Sequence, residues 1–204
     1  SYEEIANKGG GIVNSAEKLQ QTSIEDLYQQ SAKRLEQVMA LGTGAVEIKS
    51  GYGLTTEAEL KMLKVIKQLK DKYNIPIKAT FLGAHAVPKE FKGNKKGYLK
   101  LIAEEMLPKI AELQLADYID IFCEKGYFDI DQTRKVIECG KNFGLKPRLH
   151  VDEFEDIGGI ELAIEIGAVS VDHLMASNSR SIDLLSKSNV IATLLPGTSF
   201  FLNL

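Results

Sequence analysis

The chain has 204 residues, of which 44% are hydrophobic and 26% charged, and its formal net charge is −3. This composition is that of an ordinary globular protein with a substantial core. The weak negative charge lacks the basic footprint of a protein that binds nucleic acid. No apolar stretch reaches the length of a membrane span and no secretory leader opens the chain, so we expect no membrane partner.

The two cysteines, Cys123 and Cys139, have no CxxC spacing and are too few for a disulfide framework. Such a small number of thiols is typical of a protein in a reducing compartment. The sequence therefore predicts a cytoplasmic protein.

Strands and helices alternate along the chain. The first long helix is expected to begin after an N-cap at Ser23, and the second with a capping box of Thr56 and Glu59. Pro108 is expected to bend or restart the third helix. The predicted helices cover residues 24–41, 56–73, 98–113, 131–143, 158–167 and 181–186. The predicted strands cover residues 45–49, 77–85, 118–124, 146–150, 168–173 and 189–195, with no helix expected after the last.

Regular alternation of strand and helix implies a parallel sheet, either a doubly wound open sheet or a (β/α)₈ barrel. Neither GxGxxG nor GxxxxGK[ST] follows the first strand, which removes the main support for a nucleotide-binding open sheet. Six strands are two short of a barrel, and the two missing strands would lie at the ends of the chain.

All three histidines of the chain lie at the ends of predicted strands: His85, His150 and His173. The carboxyl ends of the strands in a parallel barrel converge on one face, where the catalytic residues lie. Three imidazoles on that face, one of them followed by acidic residues, indicate a metal-assisted hydrolase.

His150 and Glu153 form an H-x-x-E cluster just past a strand end. Neutral imidazole is a standard ligand of zinc or iron, and the carboxylate can exchange protons with the water that the metal activates. The alternative is an acidic loop that caps the next helix, with His150 only packed. Asp172 precedes His173, and since neighbours in a strand point to opposite faces, we expect His173 alone to face the pocket. A half-buried histidine at a strand end is the alternative there.

Two more residues are candidates for the same face. His85 follows Gly83 and Ala84, small residues that let a ligand approach the backbone, so it is predicted to bind substrate or metal. Tyr52 lies between Gly51 and Gly53 and would bring a phenol there. The alternatives are a packing histidine and an ordinary turn tyrosine.

Four segments, residues 47–54, 81–88, 149–153 and 194–198, closely resemble the imidazolonepropionase family of the amidohydrolase superfamily. The second segment reads Gly-Ala-His-Ala-Val-Pro after Phe-Leu, and the first contains Lys-Ser-Gly-Tyr-Gly. The resemblance implies an α/β fold, a metal-dependent TIM-type (β/α)₈ barrel represented here by about six of its eight β/α units. Residues 1–204 are then one partial barrel domain. The family's small β-sandwich domain is expected in a full-length parent and not in this chain.

The family hydrolyses the imidazolone ring of 4-imidazolone-5-propanoate to N-formimino-L-glutamate in histidine degradation, with one zinc or iron ion as cofactor. By resemblance, His150 is a metal ligand, Glu153 contacts the ring and shuttles a proton, and His173 positions water or polarises the carbonyl. Three positions match residues that contact the substrate: Tyr2, Tyr52 and His85. A small-molecule substrate and a homodimer, the default assembly of such enzymes, are expected partners.

The sequence departs from the family pattern in its metal ligands. The family's His-x-His pair on the first strand and its aspartate after the last strand are absent, as is a substrate-binding arginine upstream of Tyr2. We therefore expect the full-length parent to be an enzyme and the 204-residue chain alone to be inactive. Two alternatives stay open: another cyclic amidohydrolase or deaminase of the same superfamily, and a catalytically incompetent barrel fragment with only a binding role.

Overall fold

The computed structural model describes residues 12–202, apart from the side chain of Val13. Tyr2, a predicted substrate contact, lies outside these residues. The chain forms two compact units, one ending at Tyr118 and the other beginning at Ile119. Within residues 12–202, no helix combines the length and apolar character needed to cross a membrane.

The first unit alternates helices with two parallel strands. Its elements are α1 (Ile12–Gln21), α2 (Ile24–Ala40), β1 (Val46–Lys49), α3 (Thr56–Lys72), β2 (Ile77–Ala84), a 3₁₀ turn (Lys89–Phe91), α4 (Lys95–Leu101), a π-helical turn (Ile102–Met106) and α5 (Leu107–Glu112). Val46 pairs with Ile77 and Lys49 with Thr80, so β1 and β2 run side by side in one register. Every predicted element of this region is present, and α1 is an additional helix that the sequence analysis did not predict.

Two local predictions in the first unit are confirmed. The Ser23 hydroxyl accepts a hydrogen bond from the Asp26 N–H at 3.0 Å and so caps α2. The helix that contains Pro108 restarts at Leu107, directly after the π-helical turn. Proline has no N–H to donate and its ring crowds the preceding turn, which accounts for the irregular backbone before it.

Helix α3 begins at Thr56 as predicted, but its N-cap differs from the prediction by one residue. Thr55, not Thr56, is the N-cap, and its hydroxyl accepts a hydrogen bond from the Ala58 N–H at 3.2 Å. The predicted capping box is wrong, because the Glu59 carboxylate accepts hydrogen bonds from the backbone N–H groups of Gly51, Gly53 and Leu54 instead of the N-cap N–H. This carboxylate therefore organises the loop between β1 and α3.

The second unit continues the alternation of strand and helix. Its elements are β3 (Tyr118–Cys123), α6 (Ile130–Asn142), β4 (Lys146–Val151), α7 (Gly159–Glu165), β5 (Ser170–His173), α8 (Ser179–Ser186), β6 (Ile191–Thr193) and α9 (Pro196–Leu202). The strand order is β3-β4-β5-β6, and β5 pairs in parallel with both β4 and β6. The helix α9 corrects the expectation that none follows the last strand. Proline is favoured in the first turn of a helix, which explains why α9 begins at Pro196.

Strands β3, β4 and β5 are largely buried, as expected for parallel strands covered by helices, whereas β6 is exposed. Ile119 and Ile121 of β3 and Leu149 and Val151 of β4 have no exposed surface. Helices α6 and α7 both pack against β4. The close approach of α7 depends on Gly159, which lies against Val151.

Gly159→Ala is expected to destabilise the protein. The added methyl group would lie 2.6 Å from Cγ1 and 2.9 Å from Cβ of Val151. Val151 is branched at Cβ and fully buried, so it cannot move aside without strain. We expect the free energy of unfolding in urea to fall by about 1–3 kcal/mol. Gly197→Ala, where the methyl group meets nothing within 4 Å, is the control and should cause no such loss; equal stability of the two variants would contradict this packing.

Candidate metal centre and active site

His150 lies near the carboxyl end of β4 and is buried, with 7% of its surface exposed. Its Nδ1 is 3.1 Å from Oδ1 and 3.0 Å from Oδ2 of Asp120, a fully buried residue of β3. Asp120 Oδ1 also accepts a hydrogen bond from the Ile121 N–H at 2.7 Å. An ionised carboxylate only accepts hydrogen bonds, so His150 donates through Nδ1; in a neutral ring, Nε2 is then the unprotonated nitrogen.

A second buried carboxylate lies beside His150. Asp172 of β5 is the register partner of His150 and is 3% exposed. Asp120, His150 and Asp172 each offer one ligand atom, and these atoms all lie within 4.8 Å of one another. Imidazole nitrogen and carboxylate oxygen suit both zinc and iron. His150 and Asp172 therefore offer donors that fit a metal ion, with the Asp120 carboxylate beside them.

The sequence predicts His150 as a metal ligand but does not predict a role for Asp120. A signal for Asp120 was present, because it lies between Ile119 and Ile121 in a strand that is otherwise apolar. A charged residue is rarely buried at such a position unless it is paired or binds a metal.

The end of β5 brings both Asp172 and His173 to His150. His173 has φ of 85° and Leu174 has φ of 66°, a region that residues other than glycine seldom adopt. His173 Nε2 is 3.6 Å from Glu153 Oε2, and the His150 and His173 ring centroids are 5.1 Å apart. The expectation that only His173 faces the pocket is therefore wrong, because the left-handed backbone ends the alternation of the strand. Strained backbone of this kind clusters at functional sites.

Glu153 follows β4 and is 8% exposed. Burial raises the pKa of its carboxyl to about 7; the nearby His150 acts to lower the pKa, and Glu124 acts to raise it further. A carboxyl group with this pKa can both accept and release a proton near neutral pH.

Glu124, just after β3, holds the backbone around Glu153. Its Oε2 accepts hydrogen bonds from the N–H groups of Glu153 and Phe154, both at 3.0 Å, and its Oε1 accepts one from the Lys125 N–H at 2.8 Å. Glu124 is itself 1% exposed. The sequence analysis missed this residue, because an acid at the end of a strand looks like any loop carboxylate until its partners are known.

In the first unit, the two predicted substrate contacts Tyr52 and His85 lie together. Their ring centroids are 5.1 Å apart and the ring planes meet at 88°. His85 Nδ1 is 3.1 Å from the carbonyl oxygen of Gly51, and Tyr52 is 39% exposed. The predicted site residues of the second unit, His150, Glu153 and His173, form the other cluster.

No family model matches the chain. Curated proteins named imidazolonepropionase are similar to it along its whole length. The protein of Christiangramia forsetii is 56% identical over 204 residues, which are 100% of this chain and 50% of that protein, and the protein of Flavobacterium johnsoniae gives the same values. The protein of Geobacillus sp. (strain WCH70) is 48% identical over 202 residues, 99% of this chain and 48% of that protein. The chain thus spans about half the length of the curated relatives it matches.

Solved structures of two deaminases share the fold. The 5-methylcytosine deaminase of Klebsiella pneumoniae, liganded with 5-fluorocytosine, matches 89% of this chain and 46% of its own, with a TM-score of 0.67 and 14% identity. The guanine deaminase of C. acetobutylicum, with bound guanine, matches 91% and 46%, with a TM-score of 0.63 and 14% identity. The α/β class and the TIM-barrel type predicted from the sequence are thereby confirmed.

Identity near 14% with the deaminases identifies the fold alone, whereas identity of 56% along all 204 residues identifies a family. The segments that carry the resemblance in the sequence lie within this match. Along its whole length, the chain is therefore a homologue of proteins named imidazolonepropionase, and it spans about half of their length.

Proposed function

We propose that the protein containing this chain is a metal-dependent hydrolase that opens the imidazolone ring of 4-imidazolone-5-propanoate and yields N-formimino-L-glutamate. The observation that carries this proposal is the 56% identity, over all 204 residues, with proteins named imidazolonepropionase. The buried cluster at the ends of β4 and β5 supports the same class of chemistry, since it combines a potential metal ligand with a carboxyl group that titrates near neutral pH.

We propose one zinc or iron ion as the cofactor, with His150 as a ligand through Nε2. The hydrogen bond between Asp120 and Nδ1 supports this, because a carboxylate on one ring nitrogen orients the ring and makes the other nitrogen more basic. Asp172 is the second residue that would hold the ion. Asp120 would not bind the ion but would orient His150 through the hydrogen bond to Nδ1. When bound, such an ion activates water and polarises a carbonyl group.

Glu153 would carry out the proton transfers, with His173 beside it. Ring opening requires one proton to leave the attacking water and one to reach the departing ring nitrogen. With a pKa of about 7, Glu153 is able to take the first proton and return it in the second step. His173 Nε2 lies 3.6 Å from Glu153 Oε2 and would orient this carboxyl group or polarise the substrate carbonyl.

Tyr52 and His85 would bind the substrate. A phenol and an imidazole offer both donors and acceptors to a polar ring, and the exposed part of Tyr52 lets it reach a small molecule. Small-molecule sites usually fix orientation with a few polar groups of this kind.

The direct test is turnover by the complete gene product that contains this sequence, supplied with zinc or iron. We expect hydrolysis of imidazolonepropionate and no turnover of cytosine or guanine. A chimera of the Christiangramia forsetii relative, with this chain in place of its matching 204 residues, should keep the same activity. Deamination of a base with no ring opening would favour the deaminase alternative. A chimera that folds and binds metal but turns over no substrate would support a binding role only.

Asp120→Ala is expected to weaken zinc binding to the complete gene product by about 10- to 100-fold, because the ring of His150 loses its orienting partner. Asp120→Asn should lose less, since the amide oxygen can still accept the Nδ1 proton. Titration calorimetry with zinc measures both, and Asp131→Asn, an exposed aspartate of the same unit, is the control. Unchanged affinity in Asp120→Ala would contradict the orienting role, and a loss as large as that of His150→Ala would make Asp120 a direct ligand.

Glu153 should make the stability of the metal-free protein fall as pH rises. Its ordinary pKa is 4.5, and burial raises the pKa to about 7 in the folded state. Between these values the folded protein keeps a proton that the unfolded chain has lost. The free energy of unfolding contributed by this group is therefore highest below pH 4.5 and decreases up to about pH 7, by about 3 kcal/mol at most.

Urea unfolding at several pH values, with a chelator present, measures this slope. Glu153→Gln should flatten it between pH 4.5 and 7, whereas Glu138→Gln, an exposed glutamate of the same unit, should leave it unchanged. Equal slopes for Glu153→Gln and the unmodified protein would show that Glu153 is not the group that holds the extra proton.

A further inference from the structure

The loop between β1 and α3 is built around one buried carboxylate. Glu59 has no exposed surface, and it accepts hydrogen bonds from the backbone N–H groups of Gly51, Gly53 and Leu54. Oε1 is 2.7 Å from the Gly53 nitrogen and 2.9 Å from the Leu54 nitrogen, and Oε2 is 3.0 Å from the Gly51 nitrogen. Burial raises the pKa of this carboxyl, and hydrogen bonds from Ser50 and the backbone act against that rise.

Gly51 connects this carboxylate to His85. Its N–H donates to Glu59, and its carbonyl oxygen is 3.1 Å from His85 Nδ1. The backbone at Gly51 has φ of 104°, and a Cβ there would lie 2.8 Å from the carbonyl oxygen of Leu82. Only glycine fits such a position. Because Glu59 binds the N–H of Gly51, it also constrains the direction of the Gly51 carbonyl group that contacts His85.

The Gly51 carbonyl fixes the tautomer of His85. A carbonyl oxygen can only accept, so Nδ1 must carry the proton in this contact. In the neutral ring, Nε2 is then the acceptor nitrogen. The edge-on contact with Tyr52, at 88° and 5.1 Å, holds the phenol of the same loop beside that ring.

We propose that Glu59 is a positioning residue for the substrate pocket: through the Gly51 backbone it holds His85 as the Nδ1–H tautomer, with Tyr52 beside it. The pair then presents an acceptor nitrogen and a phenol to a ligand that has an N–H or O–H donor. The inferred tautomer of His85 depends only on contacts within the first unit. Only the identity of the ligand rests on the proposed function.

A purely structural role for Glu59 would stabilise the loop and leave the tautomer of His85 unchanged, so the tautomer is the quantity to measure. Glu59→Gln is the sharpest variant. Its amide oxygen can keep the hydrogen bonds from Gly53 and Leu54, while its NH₂ group faces the Gly51 N–H and cannot accept from it. Glu59→Asp keeps the charge with a shorter reach, and Glu57→Gln, an exposed residue in the first turn of the same helix, is the matched control.

The experiment is ¹H–¹⁵N NMR of the histidine rings in the complete gene product that contains this sequence, with His85→Asn used to assign the His85 signals. We expect Nδ1–H with an unprotonated Nε2 in the unmodified protein and in Glu57→Gln. Glu59→Gln should shift His85 toward the Nε2–H form, and Glu59→Asp should restore part of the original pattern. An Nε2–H form in the unmodified protein would overturn the proposal even if Glu59→Gln failed to fold. An unchanged tautomer in a folded Glu59→Gln protein would also overturn it.

Kinetics separate this proposal from the proposed function. If imidazolonepropionate is the substrate, Glu59→Gln should raise KM by about 3- to 10-fold, the loss expected for one hydrogen bond, and change kcat less. A protein that shows the tautomer shift but does not open the imidazolone ring would contradict the proposed function and support the role of Glu59. Turnover of imidazolonepropionate with an unchanged His85 tautomer in Glu59→Gln would support the proposed function and contradict the role of Glu59.

Discussion

Burying a carboxylate away from water costs free energy unless N–H groups donate hydrogen bonds to it. Both units of the protein contain buried carboxylates that meet this requirement. Glu59 in the first unit and Glu124 in the second are almost completely buried, and each accepts hydrogen bonds from several backbone N–H groups. In each case those N–H groups belong to a loop that follows a strand and carries a candidate functional side chain. Asp120 satisfies the same requirement with the ring of His150. The hydrogen bonds that offset the cost of burying these carboxylates therefore also hold the candidate functional side chains in place.

The alternation of strands and helices could be predicted from the sequence, because apolar runs and helix caps are local signals. The sequence was also sufficient to place the histidines at or next to the carboxyl ends of strands. The partners of those histidines could not be predicted, since Asp120 and Glu124 acquire their roles from contacts about 30 residues away along the chain. The capping box at Thr56 failed because a glutamate near a helix start can bind either the N-cap or the preceding loop, and only the tertiary structure decides. The positive φ of His173 likewise has no signature in a non-glycine residue.

Fold and family are supported by different observations. Deaminases that share the fold at 14% identity have a similar arrangement of strands and helices, so the fold alone does not select a substrate. The match at 56% identity covers the whole chain. The proposed ring opening uses residues of both kinds of segment, with His150 and His173 at the ends of strands and Tyr52 and Glu153 in loops.

The most direct test of this account is a crystal structure of the complete gene product loaded with zinc, with the ion located from its anomalous scattering. The account predicts zinc on His150 Nε2, with the Asp120 carboxylate still hydrogen-bonded to Nδ1. Zinc bound to Asp120 with the hydrogen bond to His150 broken would contradict it. So would an ion that binds elsewhere and leaves His150 without metal.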